Sequence, residues 1–130
     1  MEKQKTGITK YKVEPYIIPA DIYGQGNLAG RGGWTWYTGS SSWMYIAGIK
    51  YILGLTIENG YMSFKPNVAV SWKEYSIKYR YNNSIFNIKV INESGEGKGT
   101  KKVILNGQVI ENQSIKLHDC VGINEIEVII

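Results

Sequence analysis

The chain is poor in residues that make covalent or metal cross-links. It has a single cysteine, Cys120, so it can close no internal disulfide and build no cysteine zinc site of its own. The lone histidine, His118, lies in a polar–apolar alternation near the end and reads as a surface residue rather than a metal ligand or base. No apolar stretch is long enough to span a bilayer. The start, MEKQKTGITK, has basic residues but no apolar core behind them, so it is not a secretory signal. A cytoplasmic location is the expectation, with no membrane partner. Strong charge is also missing. The net charge is +4, and the basic residues Lys65, Lys73, Lys78, Arg80, Lys89 and Lys98 are dispersed. Several alternate with apolar neighbours, the pattern of a solvated sheet face, and no nucleic-acid partner is expected. At 130 residues there is room for one ordinary domain or for parts of two.

What the chain does have is one unusual run, GRGGWTWYTGSSSWMYIAGIKYILGL, from Gly30 to Leu55. Glycines surround Arg31, three of the four tryptophans follow (Trp34, Trp36, Trp43), and Thr38-Gly39-Ser40-Ser41-Ser42 separates the last two. The run reads as a loop feeding a helix over Ser41 to Leu53, with one of the serines as N-cap and Gly54 as the stop. The helix is apolar on nearly every face, which predicts burial. Its start presents free N–H groups and positive dipole potential, a place for a phosphate or another anion. Tryptophan faces suit stacking on sugar rings. Small residues before a helix are also ordinary caps, and tryptophans beside helices are more often core. Spacing alone favours that structural reading. The convergence of glycines, arginine, hydroxyls and aromatics favours the functional one.

On either side the pattern changes. Residues 1–9 are polar and expected to fray. Lys10 to Pro19 is extended or ends a helix, since the residue before Pro15 avoids the helical region. Asp21 sits among apolar neighbours, so it is either paired or functional. Beyond Leu55, Asn59-Gly60 and Asn106-Gly107 mark hairpins, Asn82-Asn83 marks a turn, and the alternation from Tyr75 to Tyr81 is a half-buried strand. Short strands with frequent turns suggest an antiparallel sandwich. The boundary falls near Leu55, giving residues 1–54 and 55–130. The first part holds too little structure to bury its own helix. The chain is therefore expected to be a piece of something larger, or to pair with something.

Tyr11-Lys-Val-Glu-Pro-Tyr16, Ala20-Asp-Ile-Tyr23, Gly30 to Ser40, Trp43-Met-Tyr45, Gly48 and Ile52-Leu-Gly-Leu55 resemble the C-terminal part of glycoside hydrolase family 94. These are inverting β-glucoside phosphorylases and the phosphorylase region of cyclic β-1,2-glucan synthases. The resemblance implies a short α segment that ends an (α/α)6 barrel, over 1–54, followed by an antiparallel β-sandwich over 55–130. It implies no cofactor, with inorganic phosphate as co-substrate and a β-glucoside or glucose 1-phosphate as partner. In such chemistry phosphate attacks the anomeric carbon while an aspartic acid protonates the glycosidic oxygen. The Thr-Gly of the family's motif falls on Thr38 and Gly39, the implied phosphate-binding pair. Arg31, Trp34 and Trp36 are candidates to line the sugar site. The general acid is implied to lie upstream, and neither Asp21 nor Glu14 matches its motif. Activity then requires the upstream barrel portion, and an isolated chain is expected to self-associate or to bind that portion. The competing reading is a non-catalytic carbohydrate-binding or structural module.

Overall fold

The computed structural model describes residues 11–14, 17–36 and 38–130, with the backbone alone at Thr38. The fraying expected over 1–9, and part of the extended stretch over 10–19, lie outside the described residues. The chain forms two compact units, residues 1–46 and 47–130.

In the first unit the glycine-rich loop folds back on itself. Ala20 N–H donates to the Trp34 carbonyl (2.8 Å), Tyr23 N–H to that of Arg31 (2.9 Å), and Gly30 N–H to that of Tyr23 (2.8 Å). Ile22 and Gly32 form an antiparallel bridge. Val13 is buried, and a Cβ at Gly32 would crowd Val13, Pro19 and Thr35. The helix α1 (Thr38–Ile46) follows.

Three expectations about this helix are corrected. It starts at Thr38, not Ser41, so the three serines lie inside it rather than capping it, and Thr38 and Gly39 form its first turn. From Ala47 to Ile52 the coil is π-helical, with Leu53 N–H reaching back to the Gly48 carbonyl at 2.9 Å. The wider i→i+5 turn takes up residues that the 3.6 period assigns to a regular helix. Nor is the helix buried: Trp43 is 76% and Tyr45 71% exposed. Its apolar composition calls for a cover that the described residues do not supply.

The second unit is made of strands. The three-stranded sheet has the order β1 (Leu55–Glu58), β2 (Tyr61–Phe64), β7 (Ser114–Lys116). The five-stranded sheet has the order β3 (Glu74–Tyr81), β4 (Ser84–Ile91), β8 (Ile123–Ile129), β5 (Lys102–Leu105), β6 (Gln108–Val109). The hairpin turns have the positive φ their residues favour: Asn59 51° with Gly60 79°, Asn106 49° with Gly107 83°. Asn82, at φ 50°, turns β3 into β4.

Period-two alternation fills the core. Phe86, Ile88 and Val90 of β4 and Ile126 and Val128 of β8 point inward, while Glu125 and Glu127 point out. Met62, Phe64, Ile115 and Leu117, from β2, β7 and the turn that follows β7, join the same cluster, so both sheets share one core. Ile49 and Leu53 pack against it.

The sheets are not wholly antiparallel. β4 and β8 run parallel, in register from Ile85↔Ile123 to Ile91↔Ile129. The chain between them builds the β5–β6 hairpin, adds β7 to the other sheet and only then returns. No tight turn dictates the direction of β8, and a parallel neighbour is permitted. The crossover runs through strands and turns, not an α-helix. Among the described residues, no helix is long and apolar enough to cross a membrane.

Candidate functional site

Asp21 organises the loop that carries the tryptophans. Its Oδ1 accepts the Trp34 N–H at 2.9 Å, and its backbone carbonyl accepts the Gly33 N–H at 3.1 Å. A Cβ on Gly33 would collide with the Asp21 carboxylate. The carboxylate is thus a backbone acceptor for the Gly33–Trp34 turn, and glycine is needed beside it. Asp21 therefore has hydrogen-bond partners, as the first of the two sequence readings expects.

That anchored loop presents Arg31, Trp34 and Trp36 to solvent, with Trp34 66% and Trp36 67% exposed. Trp36 has φ 60°, the left-handed region, which costs a non-glycine residue roughly 1–2 kcal/mol. Strain of this kind persists where the surroundings hold the residue in place. Arg31 is fixed through its backbone: its N–H donates to the Leu28 carbonyl at 2.9 Å, and its carbonyl accepts from Tyr23.

Thr38 and Gly39 come two and three residues after Trp36, in the first turn of α1, and Gly39 is exposed. The first N–H groups of a helix have no partner within it, so this turn offers donors where an anion can approach. Ser40 Oγ lies 3.5 Å from the Ile18 carbonyl, a long contact toward the segment before the loop. The five candidate residues therefore share one short segment of the first unit, three on the loop and two on the helix start. The side chain of Thr38 and all of Tyr37 lie outside the described residues. Glu14 is exposed. Among the described residues no cluster of three or more histidine, cysteine, aspartate or glutamate side chains could hold a metal ion.

His118, in the second unit, is exposed, as expected. Its Nε2 lies 3.3 Å from the Tyr81 hydroxyl, and the two rings meet edge to face at 5.7 Å. Two of the dispersed basic residues come together away from the sheet faces. Lys65 and Lys98 lie outside the strands and line a pocket of about 750 Å³ together with Lys50. Their separation in sequence hides the grouping.

Residues 2–54 match the family model described as Glycosyl hydrolase 94 superfamily, catalytic domain. The chain is 44% identical over 102 residues to the cyclic beta-(1,2)-glucan synthase NdvB of Rhizobium meliloti, covering 78% of this chain and 4% of that protein. It is 31% identical over 109 residues to the N,N'-diacetylchitobiose phosphorylase of Vibrio proteolyticus, covering 82% and 13%. It is 29% identical over 98 residues to the solabiose phosphorylase of Paenibacillus borealis, covering 75% and 13%. The chain thus spans a small fraction of the length of each of these relatives.

Proposed function

We propose, for a chain that belongs to the Glycosyl hydrolase 94 family through residues 2–54, that it is the C-terminal part of an inverting β-glucoside phosphorylase. On this reading residues 1–54 end a catalytic (α/α)6 barrel and residues 55–130 are its C-terminal β-sandwich. Two sheets sharing one core support the sandwich. The exposed apolar side chains of Trp43, Met44 and Tyr45 support a helix built to be covered by the rest of a barrel.

The reaction is phosphorolysis of a β-linked glucoside. Phosphate attacks the anomeric carbon, the glycosidic bond breaks, and the leaving oxygen takes a proton from an acid. The products are a sugar 1-phosphate and the shortened sugar. Thr38 and Gly39 contribute to holding the phosphate through the first turn of α1, where the leading backbone N–H groups and the helix dipole oppose its charge. Arg31, Trp34 and Trp36 line the sugar side, the rings as flat apolar faces and the guanidinium as a donor. Asp21 is assigned to the loop rather than to the acid's role: it does not match the family's acid motif, and its Oδ1 accepts the Trp34 N–H. The acid belongs to the upstream barrel.

The single observation that carries this reading is the match of residues 2–54 to a catalytic-domain model, in the segment where an exposed loop and a helix start come together. The phosphorylase relatives support the reaction class. The test is glucose 1-phosphate formation from β-linked glucobioses and phosphate, with the chain alone and with an upstream barrel portion supplied separately. Turnover is expected only with both pieces. General acid catalysis typically contributes ~10²–10⁴-fold, so the chain alone should show none above background. A competing reading, a non-catalytic carbohydrate-binding module, is favoured by the exposed tryptophans. It predicts sugar binding by the chain alone that Trp34→Ala and Trp36→Ala abolish, and no gain of turnover with any barrel portion.

A further inference from the structure

We infer that the cleft at the start of the second unit is a binding site for a phosphorylated sugar, separate from the Thr38–Gly39 turn. The cleft has a volume of about 750 Å³ and is lined only by residues of the second unit. Small-molecule sites fall at about 300–1,000 Å³, whereas a bare phosphate needs far less room. Its walls are joined by backbone contacts. Asn67 N–H donates to the Ile52 carbonyl at 2.9 Å, Lys65 N–H to the Gly54 carbonyl at 2.7 Å, and Asn67 and Lys98 form an antiparallel bridge. The π-helical stretch, the segment after β2 and the 96–99 loop are therefore joined by the chain's own backbone hydrogen bonds.

Its chemistry suits a ring that carries a dianion. Lys50, Lys65 and Lys98 line it against one carboxylate, Glu96. Lys50 is already tied to Glu58 at 2.8 Å, and that hydrogen bond raises its pKa from the ordinary lysine value. Lys65 and Lys98 have no ion-pair partner among the described residues, so they are the charges left for a ligand phosphate. Tyr51, 64% exposed, offers a ring face, and Thr56 and Asn67 add a hydroxyl and an amide for sugar hydroxyls. An uncharged sugar would leave two lysines unused, and a bare anion would leave the ring, the hydroxyl and most of the volume unused.

The probe is glucose 1-phosphate, titrated into the 130-residue chain by calorimetry and by ¹⁵N-resolved NMR, with glucose, inorganic phosphate and glucuronate as comparison arms. Saturable binding is expected, with shifts at the Tyr51, Thr56 and Asn67 amides, and binding about tenfold or more tighter than for glucose or phosphate alone. Glucuronate distinguishes a phosphate from a carboxylate as the anionic group and is expected to bind more weakly. Lys65→Ala with Lys98→Ala should weaken binding about tenfold or more. A charge-matched control, Lys78→Ala with Lys102→Ala, both exposed on the five-stranded sheet, should not. Thr38→Ala should leave this binding unchanged, which separates the site from the proposed catalytic one. The inference is overturned by no saturable binding, by phosphate alone binding as tightly as glucose 1-phosphate (an adventitious ion only), by glucuronate binding as tightly, by indifference to the two lysines, or by loss of binding in Thr38→Ala.

Discussion

The Tyr75 hydroxyl donates a 2.6 Å hydrogen bond to the Leu53 carbonyl, tying β3 to the residue that follows the π-helical stretch. Leu53 has left the regular helix pattern, and its carbonyl has no next turn to serve, so this side chain provides the donor. Burial pushes the Tyr75 phenol up to about 12. Tyr75→Phe is expected to cost about 0.5–1.5 kcal/mol in urea unfolding. The pH dependence follows from the raised folded pKa. The contribution is fully present below the unfolded tyrosine pKa of about 10 and is lost as pH rises from there through the folded value. Stability of the parent chain should therefore fall more steeply than that of Tyr75→Phe across this window. Parallel curves for the two proteins would show that the phenol is not coupled to folding.

Gly54 is the point where the helical run gives way to β1. It has φ +77°, and a Cβ there would collide with the backbone of Lys65 and Pro66. Gly54→Ala combines a left-handed conformation with overlap against backbone that cannot move aside cheaply. A loss of at least about 2 kcal/mol is expected, read as a shift of the urea midpoint at unchanged slope. Gly48→Ala is the control, because a Cβ at Gly48 meets nothing within 4 Å. Equal effects of the two substitutions would contradict the close approach at Gly54.

In the first unit, Asp21→Ala should release the Gly33–Trp34 turn. The expected readout in NMR is a large shift of the Trp34 backbone amide, with the second unit's core signals unmoved. In an assembled enzyme Asp21→Ala and Asp21→Asn should raise the sugar KM while leaving the pH profile of kcat in place, because the residue positions the loop and transfers no proton. A lost acidic or basic limb of that profile would assign Asp21 the acid's role instead.

Cys120 is half-buried, and burial pushes its thiol above the ordinary range, with the Asp119 charge adding to the effect. Alkylation by iodoacetamide at pH 8 should be slower than that of an unhindered thiol, and its rate should still be rising above pH 9. Asp119→Asn should shift the rate profile modestly to lower pH. A rate already at its plateau by pH 8 would contradict the assigned environment.

Local chemistry made much of this architecture readable in the sequence. Asn59-Gly60 and Asn106-Gly107 can adopt positive φ at low cost, so their hairpins could be placed from two letters each. The alternation from Tyr75 to Tyr81 follows from one half-buried and one exposed sheet face. Non-local pairings left no such mark. The parallel β4–β8 contact depends on how the intervening chain returns, and no residue type in either strand encodes direction. Ser40, Ser41 and Ser42 are good caps and point to a later helix start, yet the coil begins at Thr38. The helix's apolar composition predicts burial, whereas its tryptophan and tyrosine side chains are exposed. The Lys50, Lys65 and Lys98 cleft is built from three separate segments, and one-dimensional charge patterning sees only scattered lysines.

The most direct test of the central claim replaces the matching segment of the Vibrio proteolyticus N,N'-diacetylchitobiose phosphorylase with this chain and follows phosphorolysis at varied phosphate. The parent chimera and Thr38→Ala are compared. The account predicts an active chimera in which Thr38→Ala raises the phosphate KM or lowers kcat/KM for phosphate by a factor equivalent to about 1.5–3 kcal/mol, the value of one hydrogen bond to a charged group. The sugar KM should move much less. An active chimera whose phosphate kinetics are unchanged by Thr38→Ala would contradict the account.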